Sequence, residues 1–537
     1  MAPSQSHPTP ASGGFDAVVV GAGFAGLYML HRLRGLGLSA RVFEAGSGIG
    51  GTWFWNRYPG ARCDIESLEY SYQFSEELQR EWLWSERYAT QSEILRYIEH
   101  VADRFDLRRD IQLDTRVLAA HFDDAAGRWA IRTERGDVSA RYCIMATGCL
   151  SSTNMPRFEG FESFAGTTYH TGSWPHAGVD FTGRRVGVIG TGSSAIQSIP
   201  LIAEQAAHLF VFQRTPTYSI PAHNGPLDPE FEREVREDYA GFRRRNGQLP
   251  FGANFPINER SALQVTPEER QREYEARWQR GGLGFITSFA DLAFDRSANE
   301  TAAEFVRSKI REIVRDPAVA LALSPRQVIG CKRLCVDTGY YASFNRPNVT
   351  LVDLREAPIE AITPTGLRTR LEAYALDSIV FATGFDAMTG ALLGIDIRGR
   401  GGRSLREKWA AGPRTYLGLG TEGFPNLFII TGPGSPSVLS NMVPSIEQHV
   451  DWIASCIEYL REHGLGRIEA TAVAEDAWVA HVNEVAGLTL YPSCNSWYVG
   501  ANVPGKPRVF MPYLGFPTYV QKCNEVAAKG YEGFALG

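Results

Sequence analysis

The order of apolar and polar positions near the start of the chain predicts a compact α/β unit. Residues 15–20 form an apolar, β-branched run that is typical of a buried parallel strand, and a glycine-rich turn follows at 21–26. Leucines at 27, 30 and 33 then share one face of a predicted helix, and the next apolar run, at 40–43, predicts a second strand.

The same arrangement returns further along the chain. A strand is predicted at 185–189, a glycine-rich turn at 190–195 and a following strand at 209–212. Strand, glycine turn, helix and strand in this order form the unit that binds a dinucleotide. We therefore predict an α/β fold with two Rossmann-like dinucleotide-binding domains.

Each position of the first turn has a physical reason. Gly21 permits the tight turn, Gly23 lets backbone N–H groups approach a pyrophosphate, and Gly26 allows close packing of helix on strand. The helix N-terminus supplies positive potential for the phosphate, and Glu44 can accept a hydrogen bond from a ribose 2′-OH. These residues predict an FAD-type site that comprises Gly21, Gly23, Phe24, Ala25, Gly26 and Glu44.

The second turn differs from the first in the residues that follow its second strand. That strand leads to Gln213, Arg214 and Thr215 and not to an acid. An acid there would repel a 2′-phosphate, whereas Arg214 would pair with one, so this site fits NADPH. A solvated surface arginine is the alternative interpretation of Arg214. The predicted site comprises Gly190, Thr191, Gly192, Ser193, Ser194, Gln197, Arg214 and Thr215.

Two Ala-Thr-Gly segments, at 146–148 and 382–384, each end an apolar strand and predict the points where the chain crosses between the domains. Asp228 and Pro229 open a charged amphipathic helix with Phe231, Val235, Tyr239 and Phe242 on one stripe, and Thr266 begins another helix with a capping box. The predicted division is a disordered lead at 1–14, an FAD domain at 15–150 and 385–537, an NADP domain at 151–225 and 328–384, and a helical insertion at 226–327.

Composition narrows the class of protein mainly by exclusion. The 537 residues carry 54 Lys and Arg against 60 Asp and Glu, a formal charge of −6, which does not predict binding to nucleic acid or to an acidic membrane. The start of the chain lacks the basic and apolar regions of a signal peptide, and the apolar stretch at 17–30 is too short to span a bilayer. We expect a cytoplasmic monomer without a metal site. Its eight cysteines are expected to be reduced, buried thiols, and the absence of a CxxC pair argues against a disulfide reductase.

Three further motifs resemble one family. Residues 164–175 fit the pattern FxGxxxHxxxW(P/D), the fingerprint of type I Baeyer–Villiger monooxygenases, through Phe164, Gly166, His170, Trp174 and Pro175. Gly50-Gly51-Thr52-Trp53, then Tyr58-Pro59-Gly60 and Asp64, fit its second signature, and 496–507 look like its C-terminal segment. The resemblance covers nearly the whole chain from about Phe15 and is strongest to the phenylacetone and steroid monooxygenases.

The resemblance implies a reaction and roles for individual residues. It implies insertion of one oxygen of O2 beside a ketone carbonyl, giving an ester or lactone, through a C4a-peroxyflavin with NADPH as reductant, and sulfoxidation as a side activity. Arg333 would stabilise the anionic peroxide, Asp64 would aim that guanidinium, and Lys332 would hold the 2′-phosphate beside Arg214. The simpler alternatives are a solvated Lys-Arg pair and a helix cap at Asp64.

The remaining implied positions lie around the two cofactors. His170 is expected to be structural, coupling the two domains, and Trp497 is expected near the nicotinamide ribose. The resemblance also places Thr52, Trp53, Asp64, Tyr70, Val117 and Met442 at FAD, Lys332, Arg333 and Trp497 at NADP, and Ser437, Val438 and Leu439 in the substrate pocket.

One segment departs from the family, and two alternatives remain open. Where the family has a Gly-Gly pair after an MPY-type strand, this chain has Leu514-Gly515-Phe516-Pro517, which affects the expected loop shape and pocket width. A flavin monooxygenase that hydroxylates soft nitrogen or sulfur would share both turns but would not need the Asp64–Arg333 pair. A catalytically silent dinucleotide sensor would bind flavin that NADPH does not reduce.

Overall fold

The computed structural model describes residues 14–508 and 515–537. The predicted lead at 1–14 lies outside this part, except for Gly14, which begins a strand and does not belong to a lead. The MPY-type strand at 511–513 and Leu514 also lie outside it.

The first unit is an eight-stranded sheet around the first glycine turn. Its central strands are parallel and its other side is an antiparallel meander, so the apolar run near the start of the chain lies between two parallel neighbours. The strand order is Asp396–Arg398, Val117–Asp123, Arg128–Thr133, Gly136–Met145, Gly14–Val20, Ala40–Phe43 and Ile111–Gln112, with Leu427–Ile429 also paired to Gly136–Met145.

The second unit is a five-stranded, all-parallel sheet around the second glycine turn. Its order is Val349–Asp353, His208–Gln213, Arg185–Ile189, Ser378–Phe381 and Thr167–His170. Three smaller sheets consist of Ile359–Thr363 with Gly366–Thr369 and Ala373–Ala375, Ser219–Pro221 with Cys335–Asp337, and Ile468–Ala470 with Phe534–Leu536. The mixed α/β prediction with two Rossmann-like units is confirmed.

Helices cover both sheets and fill the segment between Pro221 and Cys335. Their bounds are Phe24–Gly35, Thr52–Trp55, Glu76–Glu81, Gln91–Arg104, Ser193–Gln205, Pro229–Glu237, Tyr239–Gly247, Pro267–Arg280, Arg296–Ile313, Pro317–Leu323, Tyr340–Ser343, Gly390–Leu393, Leu405–Lys408, Met442–Glu462, Ala472–Gly487 and Phe516–Ala528. None of the helices in the described part of the chain combines the length and apolar character needed to cross a bilayer.

The helix predicted from Asp228 is in fact two helices. It breaks at Asp238, whose backbone leaves the helical region and whose side chain accepts a hydrogen bond from the Gly241 N–H. An amphipathic stripe continues across such a break because both helices pack on the same surface, so periodicity alone did not reveal it. The capping box at Thr266 is present, with Glu269 as its reciprocal partner.

The expectation of reduced, buried thiols is wrong for two of the eight cysteines. Cys331 and Cys494 form a disulfide although they are 163 residues apart in sequence. No local motif predicts a bond over that distance. It joins the segment just before Lys332 to the loop just before Trp497. The other six are free and buried, at Cys63, Cys143, Cys149, Cys335, Cys456 and Cys523.

Two linkers connect the sheets and run side by side. The segments that follow the two Ala-Thr-Gly motifs are antiparallel, with the Asn154 N–H donating to the Gly384 carbonyl and the Asp386 N–H donating to the Ser152 carbonyl. The parallel pair Ser219–Pro221 and Cys335–Asp337 closes the base of the helical insertion. Arg333 therefore lies at the point where the chain returns from the insertion.

Candidate active site

The first glycine turn is too tight for a side chain at two of its positions. Gly21 has φ +105°, and a Cβ there would lie 2.6 Å from the Ala146 carbonyl oxygen. A Cβ on Gly26 would lie 1.8 Å from the Gly21 carbonyl oxygen. The Ala of the Ala-Thr-Gly motif thus forms the floor of the turn, and the helix starts directly against the strand.

The helices that follow the two turns have uncapped N-termini. Phe24–Gly35 and Ser193–Gln205 begin after Gly23 and Gly192, with no side-chain cap and no acid in the first turn. Unsatisfied N–H groups at a helix start attract an anion. A Cβ on Gly23 would approach Gly51 to 3.4 Å, so glycines also line the facing side of the first turn. These features fit the pyrophosphate of a dinucleotide at each turn.

Glu44 closes the first turn from the end of the second strand. It is buried, and its two carboxylate oxygens accept hydrogen bonds from the Ala22 N–H and the Gly46 N–H, both at 2.8 Å. Burial raises the pKa of this carboxyl above its ordinary value. Each oxygen keeps a second lone pair, so Glu44 can still accept from a ribose hydroxyl.

The other residues predicted at FAD lie on separate elements and differ in burial. The Trp53 indole N–H donates to the Tyr70 hydroxyl at 3.3 Å, and the two rings meet edge to face. Thr52 begins the short helix after Gly51 and is exposed, Val117 is buried at the start of its strand, and Met442 begins a 21-residue helix.

The second turn repeats this geometry, with Ala195 at the position that Gly26 holds in the first turn. Gly190 has φ +112°, and a Cβ there would lie 2.4 Å from the Ala382 carbonyl oxygen of the second Ala-Thr-Gly motif. Its hydroxyls bond to surrounding segments: Thr191 Oγ1 to the Thr215 carbonyl at 2.9 Å, and Ser194 Oγ to Thr171 Oγ1 at 3.0 Å. Ser193 Oγ lies 3.3 Å from Cys335 Sγ.

Gln197 connects the second unit to the first. Its Oε1 accepts a hydrogen bond from the Tyr58 hydroxyl at 2.8 Å, and its Nε2 donates to the Arg62 carbonyl at 3.2 Å. A Cβ on Gly60 would lie 2.4 Å from the Gln197 carbonyl oxygen. The amide predicted to bind NADP is therefore engaged by the Tyr-Pro-Gly signature, which docks on this helix.

Two cations lie together beyond the second turn. Arg214 is exposed, and Lys332 is half-buried close to it. Burial and the Arg214 charge lower the pKa of Lys332, as expected of an ammonium held near another cation. No ion pair joins either side chain to an acid within 14–508 and 515–537. Two neighbouring cations fit a multiply charged anion at this edge.

Asp64 and Arg333 form a two-point ion pair between the first unit and the segment that returns from the helical insertion. Arg333 Nε donates to Asp64 Oδ2 at 2.9 Å and Nη2 donates to Oδ1 at 2.7 Å. Both side chains are about one-fifth exposed, at 21% and 23%. Burial opposes the charge of Arg333, but Asp64 and Tyr498 outweigh it and raise its pKa above the ordinary value. Asp64 caps no helix, because residues 64–66 are not helical.

A narrow cavity opens beside the guanidinium. It is lined by Arg333 together with apolar side chains that include Ile65, Phe251, Phe255, Leu283 and Leu439. Of the three predicted pocket residues, Leu439 lines the cavity and Val438 lies beneath it with its carbonyl accepting from Arg333 Nη1 at 2.8 Å. Ser437 is buried at φ +46°, its hydroxyl against Met388.

The segment that departs from the family pattern, Gly515 and Phe516, contacts the residues on either side of Phe251 in the cavity wall. Gly515 has φ +82° and precedes the helix Phe516–Ala528, and the Phe516 N–H donates to the Pro250 carbonyl at 2.7 Å. The buried Phe516 ring packs against Gly252. Phe251, which lines the cavity, lies between these two contacts.

The fingerprint residues belong to the second unit, and one of them contacts the first. Buried His170 accepts the Gly172 N–H at Nδ1, and its Nε2 lies 3.3 Å from the Thr383 hydroxyl, which donates to the Asn154 carbonyl. Burial lowers the pKa of His170, which therefore stays neutral. The Trp174 N–H donates to the Trp55 carbonyl across the halves. A Cβ on Gly166 would clash with the Phe164 ring, and Pro175 forms the next turn.

Sequence reasoning missed one group at the centre of the site. Trp497 is half-buried, and its ring packs on Tyr498 with centroids 4.4 Å apart. Tyr498 is 4% exposed and lines the cavity together with Arg333. The only available signal was its place next to Trp497 in the C-terminal block.

Two dinucleotide turns with an arginine–carboxylate pair between them define a flavin- and pyridine-nucleotide-dependent oxidoreductase. A family model described as pyridine nucleotide-disulphide oxidoreductase matches residues 18–239. The chain is 45% identical to a Baeyer-Villiger monooxygenase of Pseudooceanicola batsensis, over 96% of this chain and 95% of the relative. It is 42% identical to a phenazine N-monooxygenase of Lysobacter antibioticus, over 97% of each.

Solved structures agree with these relatives. A steroid monooxygenase in the oxidised form with bound NADP is 55% identical, with a TM-score of 0.93 over 97% of this chain and 99% of that one. The chain belongs to the Baeyer–Villiger monooxygenases.

Proposed function

We propose that this chain uses FAD and NADPH to insert one oxygen atom of O2 beside the carbonyl of a small ketone, giving an ester or lactone. In balance, ketone, O2, NADPH and a proton yield ester, NADP+ and water. The family supports this assignment, and the Asp64–Arg333 pair beside an apolar cavity is the observation that carries it.

FAD, when bound, supplies the ring that accepts hydride from NADPH and activates O2. The chain's own residues do the rest. Gly21, Gly23 and the uncapped helix start hold the pyrophosphate, while Arg214 and Lys332 hold the 2′-phosphate and so select NADPH.

Arg333 supplies the fixed cation that the reaction requires. Negative charge develops on oxygen as it attacks the carbonyl carbon, and a cation already in place stabilises that charge without reorganisation. A guanidinium suits this role because it stays protonated at any working pH, and Asp64 fixes its plane. Leu439 and the aromatic lining exclude water, which would protonate the attacking oxygen.

The cavity sets conditions on the ketone. Its volume is about 40 Å³, little more than the share of one water molecule in the liquid. A ketone therefore enters only as side chains such as Phe251 and Leu439 move aside. We infer that these residues, braced from behind by Phe516, limit substrate size.

Replacing Arg333 by Ala tests the assignment. We expect ester formation to fall by roughly 100- to 1,000-fold, because one preorganised donor to a developing anion contributes that much. NADPH oxidation should continue, with the oxygen released as hydrogen peroxide. The measurements are ester by gas chromatography and peroxide by a coupled assay.

Arg87→Ala is the matched control. Arg87 also pairs with a carboxylate, Glu66, and its side chain is also 21% exposed, but it faces the base of the insertion. It should keep ester formation near the wild-type level. Undiminished ester synthesis by Arg333→Ala would refute the assignment of Arg333.

We also propose sulfoxidation as a side activity, which the 42% identical N-monooxygenase supports because it is named for oxidation at a heteroatom. A sulfide attacks oxygen itself and develops no anion on a carbonyl, so Arg333→Ala should lose less sulfoxide than ester. An equal loss of both products would contradict this.

We infer a cytoplasmic monomer for the same protein. Six free buried thiols are typical of a reducing compartment, and the Cys331–Cys494 bond is the exception. Sedimentation at working concentration would reveal any dimer.

A further inference from the structure

A second cavity lies on the helical insertion, and it is larger than the one beside Arg333. Residues of the helices Arg296–Ile313 and Pro317–Leu323 and of the segments that follow them line it, and its volume is about 710 Å³. The two cavities share no lining residue, and none of the residues predicted at FAD or NADP lines the larger one. Its volume is typical of sites that hold a small molecule, roughly 300–1,000 Å³.

The lining of this insertion cavity is basic. Arg307, Arg311, Arg315 and Arg326 line it together with one acid, Glu300, so the lining carries a formal charge of +3. The whole chain carries −6, so the positive charge is a local concentration and not a consequence of composition. A concave surface with this charge favours an anion as its ligand.

Two of the four arginines already have acidic partners. Arg307 donates to Glu300 and, at 2.8 Å, to Glu304 Oε2. Arg311 donates to Glu304 Oε1 at 2.6 Å. Their charges are therefore largely balanced within the helix Arg296–Ile313.

The other two arginines have no such partner. Arg315 and Arg326 are exposed, and neither side chain pairs with an acid within the part of the chain that the structure describes. Asp316, the neighbour of Arg315, instead accepts the Ala318 N–H at 2.8 Å at the start of the next helix. A guanidinium binds a carboxylate through two parallel hydrogen bonds, so this pair of arginines suits a carboxylate ligand.

Most of the remaining lining is apolar. Val314 and Ala320 are buried, and Leu321 is 64% exposed although it borders the cavity. An apolar ligand group that covers Leu321 would remove its surface from water, which stabilises the complex. A lining with a basic part and an apolar part fits a molecule that has an anionic group on an apolar body.

We propose that the insertion cavity is a binding site for a small amphipathic carboxylate, with the carboxylate on Arg315 and Arg326 and the apolar body on Leu321. A small inorganic anion would leave Leu321 uncovered, and a neutral apolar molecule would leave both arginines unpaired. No residue of the reacting centre lines this cavity, so the inference does not rest on the proposed function.

Calorimetric titration with octanoate tests the proposal. NADP+ is present in excess, so that Arg214 and Lys332 are already occupied. We expect saturable one-to-one binding with a Kd below about 1 mM. Acetate lacks the apolar body and octanamide lacks the charge, so each should bind at least about tenfold more weakly.

Replacing the two arginines one at a time locates the carboxylate. Arg315→Ser and Arg326→Ser should each weaken octanoate binding about tenfold, through loss of a hydrogen bond to a charged group. Arg272→Ser is the matched control, because Arg272 is also exposed and belongs to the same insertion but does not line the cavity. It should bind octanoate as the wild type does.

Replacing Leu321 locates the apolar body. Leu321→Asp should weaken octanoate binding by more than about tenfold, because it removes an apolar contact and adds a charge that repels the carboxylate. Leu371→Asp is the control, because Leu371 is 71% exposed and lies outside the cavity. The flavin-to-protein absorbance ratio checks that each variant is folded.

The outcomes decide the proposal in either direction. Weaker binding in the three cavity variants, with unchanged binding in both controls, supports it. Absence of saturable octanoate binding to the wild type overturns it, and so does binding that the cavity variants leave unchanged. Acetate or octanamide that binds as tightly as octanoate also overturns it, since the cavity would then recognise charge alone or apolar surface alone.

Discussion

The two glycine turns have the same backbone plan but opposite surroundings. In the first, the residue after the second strand is Glu44, buried, with its carboxylate holding the turn through two backbone N–H groups. In the second, the Gln213 amide donates to the Ala322 carbonyl, Arg214 is exposed, and Lys332 lies half-buried near it. The first turn is closed by a buried carboxylate, whereas the second leads to an exposed arginine.

Both turns differ from the helical insertion in how their helices begin. The insertion helices at 267–280, 296–313 and 317–323 start with Thr266, Asp295 and Asp316, whose side chains accept backbone N–H groups. The two turn helices have no such cap. Where the chain supplies its own acceptor the helix start needs no ligand, and where it supplies none a phosphate can take that place.

The largest expected difference between the two turns concerns the third glycine position, which is Gly26 in the first turn and Ala195 in the second. Gly26→Ala should cost roughly 3 kcal/mol and reduce FAD retention, because the added Cβ would meet the Gly21 carbonyl and the backbone must shift. The equivalent position of the second turn already holds buried Ala195, so Ala195→Gly should cost only about 1 kcal/mol. Thermal unfolding and the flavin-to-protein absorbance ratio measure both. Equal effects at the two positions would remove the distinction.

The next effect concerns the choice of coenzyme. Arg214→Ala should weaken NADPH by roughly 2 kcal/mol, about 30-fold in Kd, through loss of one charge-assisted contact to the 2′-phosphate. NADH, which lacks that phosphate, should change little. The dependence of the anaerobic flavin reduction rate on coenzyme concentration gives both constants. Arg184→Ala, exposed at the opposite end of the same sheet, is the control, and a parallel loss for NADH would disprove the cofactor argument.

The smallest effect should come from the Cys331–Cys494 disulfide, which directly precedes Lys332 in the chain. Reduction with dithiothreitol frees the segment carrying Lys332 and should raise the NADP+ Kd about threefold by loss of preorganisation. FAD retention should not change. Cys494→Ser should show the higher Kd already and no response to the reductant. Loss of FAD on reduction would show that the bond serves the whole fold.

Local patterns were sufficient for much of this architecture. The strands that flank both turns lie within a residue or two of their predicted bounds. These bounds could be predicted because apolar periodicity and glycine spacing depend only on residues that are close in sequence. The Asp64–Arg333 pair came from resemblance, because nothing in the 268 residues between them indicates contact.

What the sequence could not provide depends on side-chain direction. Gln197 lies in the helix after the second turn and Gln213 ends the next strand, yet the Gln197 amide bonds to Tyr58 of the first unit and the Gln213 amide bonds to the Ala322 carbonyl. The Cys331–Cys494 bond and the place of Tyr498 beside Arg333 in the cavity lining likewise depend on distant segments meeting. The break at Asp238 arose from a local side-chain bond that competes with the helix.

Asp64 belongs to the first unit, and Arg333 belongs to the segment that leads from the insertion into the second unit. Neither part alone therefore contains the complete ion pair. A chimaera that joins the flavin-side half of this chain to the coenzyme-side half of a relative must therefore match carboxylate to guanidinium across the seam. We expect mismatched hybrids to oxidise NADPH and to transfer its electrons to O2, giving hydrogen peroxide in place of ester.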